Sequence, residues 1–339
     1  MPTVVYHSQA DIANWAGLVA RSLYMAGVRS SDVFQNMMGY GLFTGGLGLH
    51  YGAERLGAMV IPIGVGNSKR QIMFMRQFGT TVVHIIPSYA LKLLETFAEL
   101  GLDPRKDTRL RIAVVGAEPH SGEIRRRIEE AYGVFAPNCY GLSEMMGPGV
   151  AFECPERGGL HLWEDHYLLE IVDPATLQPL PDGDTGEIVL TTLTREAMPL
   201  IRYRTRDLAR VIPGSCPCAR THRRLSRIRG RSDDMLILKG VNIYPIQIEQ
   251  VLMAMPEAGN NYLIVIDKDG PVDRLTVKIE AGPAFMSRST EGMERLRRRI
   301  ERALSDEILI TPRVELVEHG SLPAGEGKAV RVVDNRPSE

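Results

Sequence analysis

Several things are scarce in this sequence, and each scarcity excludes something. Only 4 cysteines occur in 339 residues, too few for a secreted disulfide scaffold. No apolar run approaches the roughly 20 residues that a helix needs to cross a bilayer. Met1-Pro2-Thr3-Val4-Val5-Tyr6 lacks a basic stretch leading into an apolar one, so no secretory signal is read here and a cytoplasmic location is expected. The net charge is -1, which supplies no global field toward nucleic acid or anionic lipid, and neither is expected as a partner. No serine stands in a Gly-x-Ser-x-Gly turn, no cysteine has an evident base, and no dinucleotide fingerprint follows an early strand. The basic clusters at Arg220 to Arg231 and Arg295 to Arg299 read as solvated faces.

What is present is an ordinary globular composition, 44% hydrophobic and 24% charged, over a length that calls for two domains or more. Ser8 to Ala26 reads as an amphipathic helix opened by a Ser8/Asp11 capping box. Helices are expected at Leu47 to Leu56, Ser68 to Phe78, Ser88 to Leu100 and Gly122 to Tyr132, the last on the surface. Strands are expected at Val60 to Ile63, Thr81 to Ile86 and Arg111 to Val115. This alternation predicts crossover units and a mostly parallel sheet, with ligands beyond the carboxyl ends of its strands, in the loops after Ile86, Val115 and Pro137. Near residue 150 the pattern becomes β-rich, with strands at His166 to Val172, Gly186 to Leu193 and Asp207 to Ile212. After about residue 230 it becomes mixed: a hairpin around Lys239-Gly240, a helix from Ile246, two more strands, an amphipathic helix over Glu291 to Leu304 and a strand at Val314 to Val317. The expected fold class is α/β, with residues 1–232 a partial large domain (α/β to about 150, a β-rich subdomain over about 151–229) and 233–339 a small α+β domain.

Four runs bear polar groups suited to chemistry. In Cys139-Tyr140-Gly141-Leu142-Ser143-Glu144, a carboxylate suits Mg²⁺, a hydroxyl suits a phosphate and Tyr140 suits a flat ring; an N-capped turn fits equally. Asp207, in Tyr203-Arg204-Thr205-Arg206-Asp207, can accept two hydrogen bonds from a ribose diol, or pair on the surface. Arg229-Gly230-Arg231-Ser232-Asp233-Asp234 suits a hinge. Lys328, in Gly325-Glu326-Gly327-Lys328-Ala329, can neutralise charge in adenylyl transfer, or be a solvated side chain.

Taken in order, with Tyr40-Gly41-Leu42-Phe43-Thr44-Gly45-Gly46, Pro87-Ser88-Tyr89 and Gly116-Ala117-Glu118-Pro119, these runs resemble the adenylate-forming superfamily of acyl-CoA synthetases and luciferases, and most closely its phenylacetate–CoA ligase family. The resemblance covers nearly the whole chain. It implies activation of an aryl acid by ATP to an acyl-AMP, then transfer to CoA. In that reading Gly116, Ala117, Glu118 and Pro119 border the adenine, Tyr140 stacks on it beside Gly141, and Glu144 coordinates Mg²⁺ next to Ser143. Asp207 and Arg231 hold the ribose, Asp233 is the hinge, Lys328 serves the adenylation step, and Lys239-Gly240 approaches the site for the CoA step. The family's Ser/Thr/Gly-rich phosphate loop, which precedes a segment like Pro2-Thr3-Val4-Val5, is absent from this sequence. That admits an inactive remnant, with a complementing amino-terminal fragment as its partner; a relative without the CoA step and a homodimer are separate alternatives. Finally, Cys216-Pro217-Cys218 with Cys154 and His161 forms a candidate Cys₃His zinc set, His222 competing as a ligand and free thiols being the alternative.

Overall fold

The structure is a computed structural model describing residues 4–41, 44–118, 120–238, 241–255, 257–268, 273–282, 290–323 and 331–336, with the backbone alone at 269 and 272. It divides into two compact units: Met1–Ala117 with Arg127–Ser232, and Glu118–Arg126 with Asp233–Glu339.

The first unit begins with α1 (Gln9–Met25), where Ser8 and Asp11 exchange side chain-to-backbone hydrogen bonds in the expected capping box. Strands β1 (Val33–Asn36), β2 (Met59–Ile61), β3 (Val82–Ile85) and β4 (Ile112–Val115) form a parallel sheet in the order β2-β1-β3-β4. The intervening helices α2 (Thr44–Leu56), α3 (Ser68–Gln77), α4 (Pro87–Glu99) and the short α5 (Pro104–Asp107) supply the crossovers that parallel pairing requires.

Strand β1 is the element the apolar pattern concealed. Gln35 and Asn36 are both fully buried, yet each is satisfied. Gln35 Nε2 donates to the Gln71 carbonyl and side chain, and Thr80 donates to Gln35 Oε1 at 2.8 Å. Asn36 Nδ2 donates to the Gly46 carbonyl at 2.7 Å and to Tyr40 at 2.8 Å. Burial pushes His84 down to about 3, so its neutral ring reaches Asn36 Oδ1 from Nδ1 at 3.0 Å. Polar residues thus sit mid-sheet because their partners are internal.

Helix α6 (Gly122–Tyr132) follows, and it is not simply a surface helix: Ile124, Ile128 and Tyr132 are buried, and Tyr132 donates to the Ala90 carbonyl at 2.7 Å. Strands β5 (Cys139–Leu142), β6 (Gly147–Glu153), β7 (Leu160–Leu162), β8 (Tyr167–Val172), β9 (Gly186–Thr192), β10 (Tyr203–Ala209), β11 (Val211–Ile212) and β12 (Arg224–Leu225) build two antiparallel sheets, β11-β12-β7-β6-β5 and β10-β9-β8. One core joins α1, α2 and the inner faces of these sheets, around Trp15, Phe152, Trp163 and Tyr167.

In the second unit β13 (Leu236–Leu238) and β14 (Val241–Ile243) form the expected antiparallel hairpin, its turn lying outside the described residues. Helix α7 (Pro245–Met253) precedes β15 (Ala258–Asp269) and β16 (Val272–Ala281). With β17 (Arg313–Val317) and β18 (Val332–Asp334) these make a mixed sheet in the order β17-β16-β15-β18. Helix α8 (Thr290–Ile308) buries Leu296, Ile300 and Leu304, the stripe its 3.6-residue period predicts. Glu249 of α7 is buried; it accepts the Tyr262 hydroxyl at 3.0 Å and the Ser121 amide at 2.9 Å. Burial, above all, pushes it up to about 7. Among the described residues no helix is long and apolar enough to cross a membrane.

Candidate active site

The site grows from the carboxyl end of β4. Val115 bridges to Asn138 in parallel, which lays 116–117 against the start of β5. Gly116 is required there: a Cβ would strike the sulfur and carbonyl of Cys139. Ala117 follows at φ 68°, a left-handed conformation that a residue with a Cβ adopts only under constraint. Glu118 continues this loop, and Pro119 lies outside the described residues. Gly141 is equally constrained, since a Cβ would enter the carbonyl of Gly147 on β6.

Tyr140, 8% exposed, donates its hydroxyl to Asp207 Oδ2 at 2.7 Å. Burial, and then the Asp207 carboxylate, holds that phenol well above its ordinary range, so it remains a donor. Arg231 Nη1 donates to Asp207 Oδ1 at 3.3 Å and to the Thr205 carbonyl at 3.3 Å. A bulge fixes Asp207: the β9–β10 register shifts between Arg204 and Leu208, and Arg206 takes φ 68°. The neighbouring Glu187 is fully buried. Although burial opposes its charge, donation from Arg204 at 2.7 and 2.9 Å and from Ser232 holds its carboxyl below the usual range.

Ser143 and Glu144 form a one-turn 3₁₀ segment, Ser143–Met145, that ends at Met146 with φ 64°. Ser143 Oγ lies 3.0 Å from Thr44 Oγ1 at the start of α2. Tyr203 connects this turn to the Asp207 cluster: burial first, then the Glu144 carboxylate, raises its phenol, and Asp207 and Arg231 also act on it. The structure therefore brings Tyr140, Glu144, Asp207 and Arg231 into one neighbourhood, with Tyr203 in their midst. Tyr203 stands in a sequence run that assigns it no role, and Arg195, which donates to the Glu144 carbonyl, gives no sequence signal because its partner is a backbone atom. Asp233 is the residue at which the second unit resumes. Lys239, Gly240 and Lys328 lie outside the described residues.

A second cluster gathers Cys154, His161, Cys216 and Cys218, whose candidate ligand atoms all lie within 4.8 Å of one another. Cys154 directly follows β6, His161 is on β7, and the two other cysteines sit in the loop between β11 and β12, so adjacent strands deliver the set. The sulfurs of Cys154 and Cys216 are 3.7 Å apart, and Cys218 Sγ is 3.4 Å from His161 Nε2. Tetrahedral Zn²⁺ with bonds of about 2.3 Å to sulfur and about 2.0 Å to nitrogen demands edges of about 3.8 and 3.5 Å. The donor set fits the ion. His222 is occupied otherwise, its Nδ1 accepting the Glu164 amide at 3.3 Å and its ring set edgewise on Trp163. The reading of Arg220 to Arg231 as a solvated face fails at Arg224: it is 7% exposed and its guanidinium binds the carbonyls of Gly158, Gly214 and Ser215, pinning the cysteine loop.

Comparison with known proteins gives these features a context. The family model described as AMP-binding enzyme matches residues 1–193, and that described as AMP-binding enzyme C-terminal domain matches 240–336. The fold also superposes, at TM-score 0.92 and 31% identity, on a solved 2-hydroxyisobutyryl-CoA ligase in a postadenylation state in complex with 2-HIB-AMP, covering 97% of this chain and 71% of that one. The chain is an adenylate-forming enzyme, an AMP-forming acyl-CoA ligase by class. It is 46% identical to phenylacetate-coenzyme A ligase of Aromatoleum evansii over 341 residues, covering 100% of this chain and 77% of that protein. It is 46% identical over 349 residues to the enzyme of the same name from Thermus thermophilus, covering 99% of this chain and 78% of that one. It belongs to the phenylacetate–CoA ligase family.

Proposed function

We propose that this protein activates an arylacetic acid, phenylacetate or a close relative, by joining it to AMP and then passing the acyl group to the thiol of CoA. A carboxylate is a poor acyl donor because its leaving group would be oxide. Adenylation makes the leaving group a phosphate monoester, which a thiolate displaces. In this reading Asp207 and Arg231 bind the ribose diol, Tyr140 packs on the adenine with 116–119 at its edge, and Glu144 holds Mg²⁺ with Ser143 on a phosphate oxygen. Lys328 stabilises charge in the first step, Lys239-Gly240 serves the second, and Asp233 is the pivot between the two arrangements.

The single observation that supports this most strongly is the convergence of Tyr140, Asp207 and Arg231, linked through Tyr203 to Glu144, on a bulge and on glycines where an added Cβ would strike its neighbours. The testing experiment supplies ATP, Mg²⁺, phenylacetate and CoA and follows AMP and thioester together. Acid-dependent adenylate formed without any thioester would favour a relative lacking the CoA step; neither product would favour a remnant that needs a separate amino-terminal piece.

The cysteine–histidine cluster carries a further part of the proposal. Cys154, His161, Cys216 and Cys218 fit a structural Zn²⁺, which would cross-link β6, β7 and the loop before β12. With four protein donors such an ion would be structural, with no position left for substrate.

A further inference from the structure

Resting on the reading of Glu144 as the metal-holding carboxylate, we infer that Arg195 is a positioning residue for the magnesium–nucleotide complex, acting by clamping the backbone of the Ser143–Met145 turn. Arg195 is 6% exposed and follows β9 by three residues, far in sequence from that turn. Its Nη1 donates to the carbonyl of Glu144, and its Nη2 donates to the carbonyl of Tyr6 at 3.1 Å. A single guanidinium fork thus ties the segment before α1 to the residue that is to hold the metal.

The arrangement around it is built for this task. Asp11, fully buried on α1, acts electrostatically on Arg195 against the cost of its burial, and accepts the amides of Glu196 at 2.8 Å and Ala197 at 3.0 Å as well as that of Ser8 at 2.9 Å. The capping box of α1 therefore serves twice: it starts the helix and fixes the residues that immediately follow Arg195. The other two residues of the turn are held as well. Tyr167 donates its hydroxyl to the Met145 carbonyl at 2.8 Å, and Ser143 meets Thr44 at 3.0 Å. A three-residue 3₁₀ segment has almost no internal hydrogen bonding to keep its shape, so these outside anchors decide where the Glu144 side chain starts. The anchor on Glu144 itself is the only one of the three that carries full charge. A lysine at 195 would keep that charge but could not bridge two carbonyls with a planar fork.

The test measures Mg·ATP and metal-free AMP affinity, and melting temperature, for the unaltered protein, Arg195→Lys, Arg195→Met and Glu144→Gln. Supporting residues behind a metal ligand change metal affinity by about 10–100-fold. Arg195→Lys should therefore weaken Mg·ATP about tenfold, leave AMP affinity within about twofold and shift melting little. Arg195→Met should weaken Mg·ATP further; if it fails to fold, the lysine variant decides alone. Equal weakening of both ligands by Arg195→Lys would mean a merely structural role and overturn the inference. So would an unchanged Mg·ATP affinity in Arg195→Lys when Glu144→Gln loses it. If Glu144→Gln binds Mg·ATP normally, the reading of Glu144 itself fails and this inference falls with it.

Discussion

Asp207 offers the sharpest perturbation, because its partners and its proposed ligand can be separated. In Asp207→Ala the Tyr140 hydroxyl loses its acceptor in a buried site, at a cost of about 1–3 kcal/mol of stability. Arg231, whose side chain is 37% exposed, recovers solvation from water and adds little to that loss. Binding should suffer more. Two hydrogen bonds from a ribose diol to one charged acceptor are together worth about 3 kcal/mol, which is about a hundredfold in AMP dissociation constant. Asp207→Asn keeps an oxygen for Tyr140, so it should fold normally and lose about tenfold. The decisive comparison is titration calorimetry with AMP and with 2′,3′-dideoxy-AMP, which has no diol to offer. The unaltered protein should prefer AMP about a hundredfold, and Asp207→Ala should remove most of that preference, leaving what Arg231 contributes. If Asp207→Ala weakens both nucleotides by the same factor, Asp207 does not hold the ribose and the assignment is wrong.

Other outcomes follow from the same structure. Protein purified without chelator should contain about one equivalent of Zn²⁺ per chain, and Cys154→Ser should hold less than about half and melt earlier; zinc-free unaltered protein with normal melting would remove the metal centre. Lys328→Ala should abolish adenylate formation but spare thioester formation from supplied acyl-AMP; equal loss of both steps would contradict its role. Glu249 is an acid whose proton is held up to about 7 in the folded protein by burial, so the folded state binds that proton more tightly than the unfolded one. Stability from this group is complete below the ordinary carboxyl range and is lost as pH rises toward about 7, by up to about 3 kcal/mol. Glu249→Gln should flatten that fall between pH 5 and 8 in thermal melts; parallel melting curves for the two proteins would refute the assignment.

Much of this architecture is legible in the residues, and the exceptions have physical reasons. Helix α1 is marked by Ser8 and Asp11, and α8 by Leu296, Ile300 and Leu304, because in both the local pattern and the tertiary burial agree. Strand β1 is hidden because Gln35 and Asn36 look like loop residues until Gln71, Thr80 and His84 arrive from elsewhere in the chain to satisfy them. The short strands β7 and β12 have too few residues to show a period, whereas the expected strand Asp207 to Ile212 covers the end of β10 and all of β11. At the site, Tyr140, Glu144, Asp207 and Arg231 stand in recognisable runs, and the spacing of Cys216 and Cys218 marks them as candidate ligands, which the structure gathers with Cys154 and His161. Arg195 and Arg224 leave no such mark: both act on backbone carbonyls, and a carbonyl looks the same at every position.

In the proposed chemistry a carboxylic acid is joined to a nucleotide before a thiol takes it. Incubation with ATP carrying labelled α-phosphate, Mg²⁺ and phenylacetate, first without and then with CoA, tests it directly. Labelled acyl-AMP should form in the first incubation and be converted to AMP and phenylacetyl-CoA in equal amounts in the second. Release of ADP in place of AMP, or thioester formed with no labelled acyl-AMP on the way, would contradict it.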